Sequence, residues 1–148
     1  MNQFDKLIPD LRDWNDGAGI DVESWIASLG NFRLAIGYST IFWPRFVEYN
    51  GFVLREGFSE ASLRELSAKN NEKSAVEALM NHLHIADIQH YECSDKSQDK
   101  LVYLGNILKE IYACKLKCQF PDKQFVVAFD DREQPVVDYQ ITFYQRSR

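Results

Sequence analysis

Between Phe32 and Leu54 the chain reads FRLAIGYSTIFWPRFVEYNGFVL, and seven of its twenty aromatic residues fall in that run. They are Phe32, Tyr38, Phe42, Trp43, Phe46, Tyr49 and Phe52, and charges between them are few. An aromatic side chain buries about 150–250 Å², so a run this dense is read as the middle of a hydrophobic core. The competing reading is a ligand pocket or partner groove with Trp43 and Tyr49 as its anchors, since aromatic residues and arginine dominate binding hot spots. A chain of 148 residues must fill an interior, which favours core packing.

That length fits one globular domain across residues 1–148, with no internal repeat, low-complexity segment or linker to divide it. An apolar content of 45% and a charged content of 26% belong to a folded chain, not a disordered one. No apolar run approaches the roughly 20 residues of a membrane span, and the longest is broken by Arg33 and Arg45. The opening MNQFDKLIPDLRDW has neither the basic region nor the apolar region of a signal peptide. Cys93, Cys114 and Cys118 make an odd count without the spacing of a disulfide scaffold. A cytoplasmic chain with reduced thiols is expected.

The net charge of −5 is unevenly spread: residues 1–30 carry six acids against two bases, and 59–92 carry six against three. Most of this surface repels a phosphate backbone, which argues against nucleic acid and suits a basic protein partner.

Residues 1–19 read as irregular, punctuated by Pro9, Gly17 and Gly19. A helix over 21–29 follows, with Asp21 as cap, Ile20 and Trp25 at staple spacing, and Gly30 as a left-handed stop. Asn31 caps a second helix reaching Phe42, ahead of Pro44, although Ile36, Thr40 and Ile41 would also serve a buried strand. Asn50-Gly51 supplies the positive φ angles of a type I′ turn and predicts a hairpin over 46–54. Ser59 opens a helix to about Asn70, with Phe58 and Leu63 as its staple; Asn70 or Asn71 caps another over 72–83, with Val76, Leu79, Met80 and Leu83 as its apolar stripe. HIADIQHYEC reads as a loop or a short extended piece.

A long helix over 98–118 presents Leu101, Leu104, Leu108, Ile111 and Cys118, and its Gly105 costs about 1 kcal/mol relative to Ala. QFVVAFD and VVDYQITFYQ close the chain as a hairpin, with Val137, Tyr139, Ile141 and Phe143 facing Phe125, Val127 and Phe129. The expectation is an α+β fold: one compact domain of four or five helices packed with antiparallel β-structure, including a C-terminal β-hairpin.

All three histidines lie within nine residues, in HLHIADIQHYEC. His82, His84, Asp87 and His90 form the candidate ligand set, with Glu92 and Cys93 alongside, because imidazole, carboxylate and thiolate bind zinc and related divalent ions. On a helix, His82 and His84 point about 200° apart and cannot share an ion; an extended backbone puts them on one side. The alternative places both at a helix end, where imidazole meets free carbonyls.

No complete zinc motif is present, neither HExxH nor paired CxxC. Cys114 and Cys118 stand four apart on the long helix, where a redox pair or a mixed site competes with simple packing; Cys118 reads as a core residue. There is no GxSxG elbow and no phosphate loop, and DLRDWNDGAGID lacks the ordered frame of a calcium loop.

No catalytic residue is assigned. Two functions are carried forward. The first is a small acidic interaction module without catalysis (an inhibitor, an immunity-type protein or an adaptor), free of cofactors and able to self-associate. The second is a metal-binding protein, with metal-dependent hydrolysis as its candidate activity, built on His82, His84 and His90.

Overall fold

The structure, a computed structural model, describes residues 2–146. It is an α+β fold with six α-helices among the described residues and two small antiparallel sheets. The chain divides into two compact units, one ending at Ser39 and the other starting at Thr40.

The first unit is helical. Where irregular chain is expected, α1 (Gln3–Leu7) forms, followed by 3-10 turns at Pro9–Arg12 and Asn15–Gly17. The start of α1 is closed reciprocally: the Asn2 side chain accepts from the Phe4 amide, and Asp5 accepts from the Asn2 amide. This short-range pairing sets a helix of only five residues, too brief for a hydrophobic period to announce it. Leu7 and Leu11 are the buried residues of this unit.

Helix α2 (Val22–Leu29) begins where Asp21 accepts from the amide and the hydroxyl of Ser24, at 2.8 and 2.7 Å. Gly30 ends it in an extended conformation, φ −65°, not the left-handed one expected. Its value is clearance: a Cβ there would lie 2.4 Å from the Ile26 carbonyl oxygen. Asn31 then caps α3 (Phe32–Phe42), its side chain accepting from Arg33 and Leu34. The helical reading of 32–42 holds.

The second unit carries both sheets. Strands β1 (Phe46–Tyr49) and β2 (Phe52–Arg55) pair across Asn50 and Gly51, whose φ angles of 50° and 82° make the expected turn. Helix α4 (Glu60–Lys69) is capped by Ser59 and packs Leu63 beneath Phe58. Asn70 closes α4 by donating to Leu66, so neither asparagine caps the next helix; Glu72 stands at that position without a side-chain bond.

Helix α5 (Lys73–Met80) is three residues shorter than expected at its C-terminus, and its stripe is rotated. Val76 and Glu77 are buried while Leu79 is exposed. Leu83 leaves the helix altogether to open β3 (Leu83–His84). A 3-10 turn follows at Ile85–Ile88.

Helix α6 (Gln98–Gln119) lies on the three-stranded sheet, order β3-β5-β4, completed by β4 (Phe125–Phe129) and β5 (Gln140–Gln145). The C-terminal hairpin is as read, with Val127 opposite Phe143 and Phe129 opposite Ile141. Val136–Asp138 winds into a 3-10 turn instead of strand, so the buried alternation starts at Tyr139. The inner face of α6 is Leu101, Gly105, Leu108, Tyr112 and Leu116. Cys118 is two positions, about 200°, from Leu116 and is exposed, which corrects its reading as a core residue.

Gly105 is required by packing, because a Cβ there would meet the Phe129 ring at 2.1 Å. Phe46 stands edge-on to Tyr112 and Phe143, with ring centroids 5.5 and 4.8 Å away, and joins the β1–β2 hairpin to this core.

The 32–54 run is therefore not core throughout. Phe46, Val53 and Leu54 are buried, and Ile41 and Phe42 pack against the core. Every residue from Phe32 to Thr40 is exposed.

Candidate functional site

Helix α3 is the surface feature that stands out. Its sequence FRLAIGYSTIF has one charged residue, Arg33, and none of its eleven residues is buried. Phe32 is 90% exposed and Ile36 67%, with Leu34 and Tyr38 also exposed. Positions 32 and 36 share one side of the helix and 34 and 38 another, so apolar surface extends around it. The preceding helix adds Ile26 and Leu29, likewise exposed. The same unit carries Asp10, Asp13, Asp16, Asp21 and Glu23, all exposed. Asp21 is held below the usual carboxylate range by its bonds from Ser24, so it carries full charge at neutral pH.

The two anchors suggested by the sequence lie in the second unit and differ in kind. Trp43 is exposed, with the Lys115 ammonium 4.6 Å from its ring centre. The hydrophobic surroundings of Lys115 press its pKa below the ordinary lysine value. Tyr49 is half-buried, packs on Phe58 at 5.2 Å and donates its hydroxyl to Glu60 at 3.1 Å. Tyr49 thus belongs to the small cluster formed by the hairpin, α4 and α5.

The histidines divide as well. Because α5 stops at Met80 and the chain turns extended, His82 and His84 meet, with ring centroids 5.3 Å apart at 85°. The δ-nitrogen of His82 donates to the Leu79 carbonyl at 2.6 Å, and that of His84 donates to Val137 at 2.8 Å. A carbonyl oxygen can only accept, so both rings carry the δ proton. His90 stacks on Tyr91 at 4.5 Å, and its δ-nitrogen accepts from the Glu92 amide. Asp87 lies exposed on the 3-10 turn. Among the described residues no group of three potential ligands forms, so the four-residue set is not gathered. Cys93, Cys114 and Cys118 are free thiols.

No family model, curated protein or solved structure matches this chain. Among the described residues no helix is long and apolar enough to cross a membrane.

One internal feature escaped the sequence reading. Glu77 and Asn81, both fully buried, lie one turn apart and face the β-structure. Glu77 accepts from the amides of Val53 and Gln145 at 2.8 and 2.6 Å, and from the Gln145 side chain. Asn81 donates to the carbonyls of Val53 and Phe143 and accepts from the Arg55 amide. Together they tie β2 to β5 where no strand runs between them. The available signal was their i, i+4 spacing beside Val76 and Met80.

Proposed function

We propose that the protein is a non-catalytic interaction module that docks a basic protein partner on the α2–α3 segment. The observation that carries this reading is α3 itself. A helix apolar around its circumference is normally an interior helix. Eleven residues rise about 16 Å, well short of a bilayer core of about 30 Å, so protein is the cover that fits. Exposed contiguous apolar surface on this scale marks interaction sites in soluble proteins.

The exposed acids of the same unit give the partner its sign. Six acids against two bases over residues 1–30 attract a cationic surface and speed its approach, while the apolar side chains supply the contact.

The test is capture with a photo-crosslinking residue in place of Phe32, at low and high salt. A basic protein should be crosslinked at low salt, with yield falling as salt rises, and Ile36→Asp should abolish it. Crosslinks that ignore both salt and Ile36→Asp would overturn the reading.

A further inference from the structure

We infer that His82 and His84 form a two-imidazole site for a divalent transition ion such as zinc. This rests on geometry in the second unit and is independent of the docking reading. Two imidazoles bound to one tetrahedral ion at about 2.1 Å each hold their ring centroids about 5.3 Å apart. The two rings stand at that separation, 5.3 Å.

Their chemistry agrees. Each δ N–H is committed to a backbone carbonyl, Leu79 for one and Val137 for the other, so in the neutral ring each ε-nitrogen keeps its lone pair. Metal-bound histidines ordinarily show this arrangement, because the second hydrogen bond fixes the ring and strengthens the ligand. The two carbonyls come from different places, the end of α5 and the 3-10 turn before β5. Both rings are therefore set before any ion arrives.

His82 is exposed, so an ion enters without opening the fold. Two protein ligands leave two tetrahedral positions for water, one protein ligand fewer than a catalytic zinc site supplies. His90, stacked on Tyr91, is not part of the site.

The test is zinc titrated into the purified full chain, followed by calorimetry and by nitrogen NMR of the imidazoles. One ion per chain should bind, shifting the ε-nitrogens of His82 and His84 and leaving those of His90 in place. His82→Ala and His84→Ala should each weaken binding at least about tenfold, and His90→Ala should leave it unchanged. Because His82 is exposed, its variant keeps the fold and decides the matter even if His84→Ala loosens the Val137 turn. Absence of saturable binding, or binding undiminished in His82→Ala, would overturn the inference.

Discussion

At the scale of single residues, Glu77 and Asn81 do what a missing strand would do, satisfying edge groups of both β2 and β5, Glu77 from the last turn of α5 and Asn81 from its C-cap. An amide in place of the Glu77 carboxylate turns one acceptor into a donor facing donors. Glu77→Gln should therefore lower unfolding free energy by about 2–3 kcal/mol, read as a reduced urea midpoint at constant slope. Asp130 offers a cleaner electrostatic check. Its carboxylate accepts from the Arg132 side chain and amide, which lowers its pKa from 3.8 to about 2. The carboxyl ionises more readily in the folded chain, so its contribution is complete above 3.8 and lost as pH falls through about 2. A carbon NMR titration should find that midpoint, and Arg132→Gln should return it toward 3.8. Caps and turns were legible at this scale because Asp21, Asn31, Asn50-Gly51 and Ser59 act on neighbours a few residues away. Glu77 was not, since its partners lie 24 and 68 residues off.

At the scale of elements, α6 shows how periodicity can find a helix and still misplace its face. Leu101 and Leu108 face inward as their spacing predicts, but Gly105 and Tyr112 mark the true centre of contact, and a glycine has no hydropathy to reveal that. Its role predicts an inversion of the usual propensity. Gly105→Ala gains about 1 kcal/mol of helix preference, but overpacking against Phe129 costs about 1–3 kcal/mol, so the variant should melt lower. In a Phe129→Leu background the same change should no longer destabilise, and a thermal double-mutant cycle measures the difference. The C-terminal hairpin was legible because β5 has one buried face, recorded as strict alternation from Tyr139 to Phe143. The early end of α5 was not, because Asn81 leaves the helix for long-range bonds. That same departure brings His82 and His84 together, which a helix continued to Leu83 would forbid.

At the scale of the whole molecule, the aromatic run supports two different roles. From Ile41 onward it feeds the core, with Phe46 against Tyr112 and the Tyr112 hydroxyl donating to the Ile41 carbonyl at 2.9 Å. From Phe32 to Tyr38 it remains exposed. Density of aromatic residues reports how much surface seeks cover; it does not say whether the cover is this chain or another. The all-round distribution of apolar residues on α3 was the feature that separated the two. An uncovered helix of eleven residues has few tertiary contacts to hold its hydrogen bonds, since isolated helices below about 12–15 residues are marginal. The most direct measurement is amide hydrogen exchange along α3 in the purified protein at low concentration. Exchange much faster than in α6, slowing when a captured basic partner is added, is the predicted result. Protection of α3 equal to that of α6 in the isolated monomer would mean that the chain covers this helix itself, and would contradict the account.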